Sequence, residues 1–342
     1  MLLNLVWTQA PQSLSETDWI RWLFRNFEVT EYASSNLDLF KENSIYILSS
    51  NHHPLHKLPS EFLEAIGRIR RKGLLHLSDE SHAGGYEAYA NFNFVLKNYY
   101  SAIFKSPGIK ILPLGPTNNT MNRSKHRFVG ERHFVWSFAG AKTAPRMEMY
   151  KSLQTIEPHK CYFFDSRKHQ NPALDKKAFL TLLAETVFSP CPMGNVVLET
   201  FRVYESLEMG CIPIVERRRW MPYYDMVMPG HPLPTFASWR EAYLFIEMLW
   251  KDKLRLFDYQ QTVADWWQNY KVQLRNEVEA FVLLGMKKSL GSSSDWNVRT
   301  GVKYQAWRTI ELLKHANRAS LQERIGIALK RKMRHSYQLG QG

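Results

Sequence analysis

The sequence predicts an α/β protein built from two doubly wound parallel sheets, and three observations carry that expectation. The chain has 342 residues, which at roughly 150 residues per domain points to two domains. Short apolar, β-rich runs alternate with longer segments of helical period, the signature of parallel α/β units. The alternation breaks once, at the polar and turn-rich stretch Gly115-Pro116-Thr117-Asn118-Asn119-Thr120-Met121-Asn122-Arg123-Ser124, and then restarts. Such a stretch reads as a linker. The expected units are residues 1–120 and 126–300, followed by a basic helical tail over 303–342.

In the first unit the strand candidates are Leu3–Trp7, Ser44–Ser49, Gly73–Leu77 and Ile109–Leu114. Ser15–Phe27 reads as a helix capped at Ser15, with Trp19, Trp22, Leu23 and Phe27 on one face. Pro59–Arg70 and Tyr86–Tyr100 read as helices by the same period. In the second unit the strands are His133–Phe138, Cys161–Phe164, Thr186–Ser189, Ile212–Val215 and Thr235–Ala237. The helices between and after them are Pro145–Thr155, Lys176–Ala184, Glu199–Met209 and Trp239–Trp250. A long helix from about Tyr259 to Lys287 places Val263, Trp266, Trp267, Tyr270, Leu274, Val278 and Phe281 at helical spacing. Gly291-Ser292-Ser293-Ser294 ends it, and a helical tail begins at Lys303.

Composition narrows the function classes. Hydrophobic residues make up 44% and charged residues 23%, which excludes a disordered chain. The net charge is +13, but from Lys303 onward nine basic residues stand against Glu311 and Glu323. About half of the excess is therefore a C-terminal feature, not a basic face over the whole molecule. Cys161, Cys191 and Cys211 have neither paired spacing nor an even count, so they read as core thiols of a reducing compartment. The apolar start, Met1 to Trp7, has no basic flank and stops at Gln9 and Pro11. No run is long and apolar enough to span a bilayer, and the expectation is a cytoplasmic protein.

In open parallel sheets a ligand lies beyond the carboxyl ends of the strands, and two such sheets create a cleft. Those ends are polar here. Ser49-Ser50-Asn51-His52-His53 and Ser78-Asp79-Glu80-Ser81-His82 follow strands of the first unit. In the second, Gly140 to Arg146 runs from a strand into a helix. Gly140 permits close backbone approach, and Lys142 and Arg146 supply positive charge for a phosphate. On that segment alone, a capped turn with solvated basic residues is the favoured reading.

The stretch from Phe188 to Glu216, FSPCPMGNVVLETFRVYESLEMGCIPIVE, is more specific. It resembles the exostosin family of glycosyltransferases. The family's Pro-x-Gly turn matches Pro192 and Gly194, and its following helix and strand match Thr200, Arg202, Glu205, Ser206, Leu207, Gly210, Cys211, Ile212 and Pro213. Phe138-Ala139-Gly140 with Arg146 is similar to the family's Phe-Ala-Gly…Arg element, and the likeness extends over Phe134 to Trp250. It implies the GT-B fold, with two Rossmann-like domains facing across a cleft. It also implies inverting transfer from a nucleotide sugar, UDP-linked in expectation, without a cofactor or a DxD-bound metal. Two departures stand out. Pro192-Met193-Gly194 lacks the family's arginine, which moves a phosphate contact to Lys142 or Arg146, and Glu216 is followed by Arg217-Arg218-Arg219 where the family carries an aspartate.

The residues agree with that implication. Arg202 and Glu205 are three apart and share a helix face. The carboxylate can accept ribose hydroxyls, and the arginine can take diphosphate oxygens in a fork. A plain intrahelical pair is the alternative. The expected donor contacts are Gly140, Lys142, Arg146, Pro192, Gly194, Thr200, Arg202 and Glu205. An inverting enzyme also needs a base near the acceptor, and the resemblance puts it in the first unit. Asp79, Glu80 and His53 are the candidates, with His52 and His82 behind them. Asp79 could instead cap a helix at Tyr86, and His52 and His53 lack companions with metal-ligand spacing.

Most tryptophans fall at core spacing, and Trp220 in the arginine-rich loop is the one placed near an acceptor. The tail alternates Leu321, Ile325, Ala328 and Leu329 with Arg324, Lys330, Arg331, Lys332 and Arg334. That pattern suits a peripheral helix at an anionic membrane face, or a helix packed back on the first unit. The expected activity is transfer of a sugar to a glycan or lipid-linked acceptor in polysaccharide biosynthesis, with no nucleic acid partner. A nucleotide-sugar epimerase, or a basic nucleic-acid or membrane-binding protein without catalysis, is the alternative.

Overall fold

A computed structural model describes residues 1–34, 36–121, 129–165, 174–288 and 301–316. The first sheet has six parallel strands in the order β2-β1-β3-β4-β5-β6: β1 Leu2–Trp7, β2 Glu28–Ala33, β3 Ser44–Ser49, β4 Lys72–Leu77, β5 Phe94–Lys97 and β6 Ile109–Ile111. The second has five parallel strands in the order β11-β10-β9-β7-β8: β7 Phe134–Ala141, β8 His159–Phe164, β9 Thr186–Cys191, β10 Ile212–Glu216 and β11 Thr235–Phe236. Strands β3, β4 and β9 are buried along their whole length. That is the pattern of parallel strands covered on both faces, and it explains their unbroken apolar sequence.

The helices are α1 Thr17–Leu23, α2 Ser60–Gly67, α3 Ala144–Leu153, α4 Lys176–Ala184, α5 Phe201–Glu208, α6 Tyr223–Val227, α7 Trp239–Lys251, α8 Lys253–Lys287 and α9 Gly301–His315. Local chemistry sets several starts. Asp175 accepts from the Ala178 N–H at 2.7 Å to begin α4, and Asp252 accepts from Arg255 N–H at 3.0 Å to begin α8. Ser238 caps α7 by accepting from Glu241 N–H, and the Glu241 side chain accepts from Ala237 N–H just before the cap.

One expected helix is not there. Residues 86–91 make a 3-10 turn and residues 94–97 are β5. The apolar run Phe94-Val95-Leu96 sits between two buried neighbours, β4 and β6, and tertiary burial overrides the helical spacing of the tyrosines before it. Strand β2 escapes notice for the opposite reason, being a half-exposed edge. Thr235–Ala237 shortens to the two-residue β11.

Helix α8 runs six residues further toward the N-terminus than its aromatic period suggests, and its far end reaches the first sheet. Phe281 meets Phe94 edge-on at 5.7 Å, and a Cβ on Gly285 would collide with the Phe94 ring at 2.2 Å. Trp267 stacks near Trp19 of α1, centroids 6.2 Å apart, and Trp19 stacks on Trp22 at 5.3 Å. The tryptophans at helical spacing are core, joining the helices of the two sheets. Helix α9 also crosses. Tyr304 OH donates to His82 O, and Arg308 Nε donates to Ser81 O at 2.8 Å. At its end the Leu198 N–H donates to His315 Nδ1 at 3.2 Å. Gly291–Ser294 and the tail residues 317–342 lie outside the described residues. Among those described, no helix is long and apolar enough to cross a membrane.

Candidate functional site

Two cavities flank the first turn of α5: Arg202 walls one and its neighbour Phe201 the other. The first cavity, of about 310 Å³, opens at the carboxyl ends of β7 and β8. Ala139 and Gly140 form its floor, Arg202, Glu205 and Lys176 its polar side, and Tyr162, Phe164 and Phe179 its aromatic side. Lys176 Nζ pairs with Glu205 Oε1 at 2.6 Å, and both bind the linker hydroxyl of Thr117. Arg202 donates through Nη2 to Ala139 O and lies over the Phe138 ring at 4.3 Å, while its buried Nε has no partner. Burial pulls the guanidinium below its ordinary range, opposed in part by Glu205. The buried Thr200 hydroxyl at the start of α5 is also without a partner. A ligand with acceptor oxygens would satisfy such idle donors.

The cavity therefore gathers three of the expected donor contacts, Gly140, Arg202 and Glu205, with Thr200 beside them. Gly140 has a particular use: a Cβ there would meet Arg202 Nη2 at 3.0 Å and the Phe138 ring at 3.1 Å, so the missing side chain makes room for the arginine. Lys142, Arg146, Pro192 and Gly194 are not among the lining residues. Lys142 is exposed, and Arg146 Nη1 turns back to Ala141 O at 3.1 Å. Pro192 is buried. Gly194 serves a different contact, since a Cβ there would lie 3.1 Å from Glu80 Oε1 and 3.2 Å from Glu199 O. Lys176 and the three aromatic residues escape sequence reasoning. The only signal for the lysine is its place directly after the Asp175 cap.

The second cavity, of about 280 Å³, lies at the carboxyl ends of β1, β3 and β4 and is closed by Val196 and Phe201. Hydroxyl and amide groups dominate its first-sheet side: Ser13, Ser15, Ser49, Asn51, Ser78 and Ser81. His52, Tyr99, Glu16 and Glu80 complete the polar wall. Ser78 and Tyr99 both hold φ near +60°, a left-handed conformation that non-glycine residues adopt at a cost and that concentrates at functional sites. Glu80 Oε1 accepts from Val196 N–H at 2.8 Å and from Val197 N–H at 3.3 Å. It thus fastens the 194–200 loop to the first sheet. Glu199 in that loop is tied too, accepting from Leu114 N–H at 2.9 Å, from Tyr223 OH at 2.6 Å and from Tyr204 OH.

Two expected base candidates take structural roles. Asp79 is 2% exposed and lines neither cavity. Its Oδ1 accepts from Ala83 N–H at 2.7 Å, and its Oδ2 accepts from Tyr86 OH and pairs with Lys97 Nζ at 2.8 Å. Burial would raise this carboxyl, but Lys97, which both pairs with it and donates to it, together with His76 and His82 holds the group well below the usual carboxylate range. The pair anchors the β4 loop. His53 Nε2 is bonded to Thr8 O at 2.9 Å, and His82 is buried with its pKa driven down to about 3 by desolvation. Trp220 is 71% exposed and stacks with Arg219.

A different carboxylate stands out. Glu16 ends the β1–α1 loop, is 3% exposed, and has Oε1 buried without a partner. Desolvation raises its pKa from the usual 4.5 to about 7, with its own and the Ser15 backbone N–H opposing. Reading Ser15 as the helix cap hid it. Its position just past β1 and before a helix was the available signal. Among the described residues no group of three or more His, Cys, Asp or Glu is placed to hold a metal ion.

Residues 117–283, just under half of the chain, match the family model of the RXYLT1 C-terminal domain. The segment resembling the exostosins lies inside that span. The human protein ribitol-5-phosphate xylosyltransferase 1 is 24% identical over 180 residues, covering 46% of this chain and 40% of that protein. A crystal structure of an α1,3-fucosyltransferase superposes with a TM-score of 0.52 at 13% identity, over 84% of this chain and 90% of that one. The two parallel sheets are the GT-B fold of nucleotide-sugar glycosyltransferases.

Proposed function

We propose that the chain is an inverting glycosyltransferase that moves a sugar from a nucleoside diphosphate donor, UDP-linked, to a hydroxyl of a glycan or lipid-linked acceptor. The observation that carries the reading is the chemistry of the 310 Å³ cavity. A diphosphate needs cations, and Arg202 with its idle Nε and Lys176 supply them. A ribose diol needs a carboxylate, and Glu205 offers the oxygen that Lys176 leaves. A nucleobase needs an apolar slab, and Tyr162, Phe164 and Phe179 line that side. The RXYLT1-type match covers this half of the chain and supports the same assignment.

The leaving group determines what the two cations do. As the bond from the anomeric carbon to the β-phosphate oxygen breaks, negative charge grows on the diphosphate, and preorganised positive groups in a water-poor cavity stabilise it. Lys176 and Arg202 fill the role that a divalent ion plays elsewhere, so the proposed transferase works without metal. EDTA should leave nucleotide affinity within twofold of its untreated value, and a tenfold loss restored by Mg²⁺ or Mn²⁺ would remove metal independence.

The donor assignment is tested by a thermal-shift panel of UDP, GDP, ADP, CDP and their sugars. A ligand that binds only the folded state raises the midpoint of unfolding. UDP and a UDP-sugar should raise it most, and a flat panel would end the reading. The cationic C-terminal segment adds a proposed peripheral contact with an anionic membrane face.

A further inference from the structure

We propose that the 280 Å³ cavity is the acceptor subsite for an uncharged, hydroxyl-rich end group, and that Glu16 is the base that takes the acceptor's proton. The proposal rests on the donor reading above and adds the acceptor class and a catalytic residue. The cavity is on the correct side of α5, since Phe201 walls it while the adjacent Arg202 walls the donor cavity. Its first-sheet wall offers hydroxyls and an amide that donate and accept, from Ser49, Asn51, Ser78 and Ser81 among others. None of its lining residues is Lys or Arg, and two, Glu16 and Glu80, are carboxylic acids. An acceptor ending in a phosphate or carboxylate would meet two carboxylic acids with no lysine or arginine to receive it. A sugar or alditol end meets matched hydrogen-bonding groups.

Glu80 is held to the 194–200 loop through Oε1, which accepts from Val196 and Val197 N–H. Glu16 lines the cavity and keeps a buried oxygen with no partner, beside Ser78 and Tyr99 with their left-handed backbone. In the step, the Glu16 carboxylate takes the hydroxyl proton while the acceptor oxygen bonds to the anomeric carbon. The bond from that carbon to the phosphate oxygen breaks, and its electron pair leaves on the nucleoside diphosphate. Nothing is oxidised or reduced. Burial raises the Glu16 carboxyl to about 7, where a general base serves best near neutral pH. The other titratable groups facing it are His52, Glu80 and Tyr99 across the cavity, with Glu199 behind Tyr99. The assignment rests on geometry: Glu16 lines the cavity with a buried oxygen that no hydrogen bond occupies.

The test uses the full chain with the nucleotide sugar that the panel selects. Release of nucleoside diphosphate is followed with water alone, with uncharged pentoses, hexoses and alditols, and with the same compounds bearing a terminal phosphate. Uncharged probes should accelerate release, and their phosphorylated forms should give less than one tenth of that gain. Glu16→Gln, nearly isosteric, should keep nucleotide affinity within twofold, lose at least 100-fold in acceptor-dependent turnover, and lose the rise in rate as pH passes about 7. A circular-dichroism spectrum and nucleotide affinity like the wild type show that the variant is folded. Wild-type turnover in Glu16→Gln overturns the base, and a preference for phosphorylated probes, or no acceleration by any uncharged one, overturns the acceptor class. If wild type binds no nucleoside diphosphate, the donor reading fails first, and the two failures are distinct.

Discussion

Glu16 is held at 3% exposure by elements that give its free oxygen no partner, and that has a consequence for stability as well as for catalysis. Its folded-state pKa, about 7, stands above the usual 4.5, so ionisation is harder in the fold than in the unfolded chain. The folded state therefore loses stability as pH rises from about 4.5 to about 7, and the loss is complete above that. Glutamine never ionises. Glu16→Gln should match wild type in denaturant unfolding at pH 4 and exceed it at pH 8, by up to roughly 3 kcal/mol. Equal differences at the two pH values would contradict the buried carboxylate. The Asp79–Lys97 pair behaves in the opposite way, because each charge is buried against the other. Lys97→Met strands the Asp79 carboxylate and should lose about 3–5 kcal/mol of stability, read from the unfolding midpoint. Asp79→Asn should destabilise too, yet leave turnover per folded molecule near wild type, since Asp79 reaches neither cavity.

The loop of residues 194–200 and helix α5 are the elements on which both cavities depend. Glu80 holds the loop from the first sheet, Glu199 from within and His315 from α9. Gly194 is where the loop passes closest to Glu80, and a methyl group there would sit 3.1 Å from Oε1. Gly194→Ala should displace the carboxylate from Val196 and Val197 N–H and cost about 1–3 kcal/mol. It should also weaken acceptor-dependent turnover more than nucleotide affinity, because Gly194 does not line the 310 Å³ cavity proposed for the donor. Unchanged turnover and stability would mean that the loop does not need this contact. The same elements explain what could be read in advance. Arg202 and Glu205 were legible because helix spacing and a motif coincide on α5, and β3, β4, β9 and β10 because buried parallel strands are written as apolar runs. Strand β5 was illegible because Tyr86, Tyr89 and Asn93 supply helical spacing up to its first residue. Lys176 and Glu16 were illegible because one depends on a partner 29 residues away and the other on burial, which sequence periodicity does not report.

Over the whole molecule, α8 and α9 bind the two sheets into one frame. Trp19 and Trp267 share a core, Phe94 seats the end of α8, and Tyr304 and Arg308 pin α9 to the 81–82 backbone. The two cavities are therefore held beside each other by packing that extends well beyond α5. Residues 317–342 add a cationic segment outside the described residues. A chain ending at Ala316 should keep nucleotide affinity and lose binding to vesicles of anionic phospholipid, and equal vesicle binding by both chains would remove the membrane proposal. The central claim is that nucleoside diphosphate binds beside Glu205 and Arg202. Calorimetric titration of UDP into wild type and Glu205→Ala tests it most directly. A charged hydrogen bond of the kind proposed between this carboxylate and a ribose is worth about 1.5–3 kcal/mol, so the variant should bind at least tenfold more weakly while remaining folded. Equal affinity in the two proteins would contradict the account.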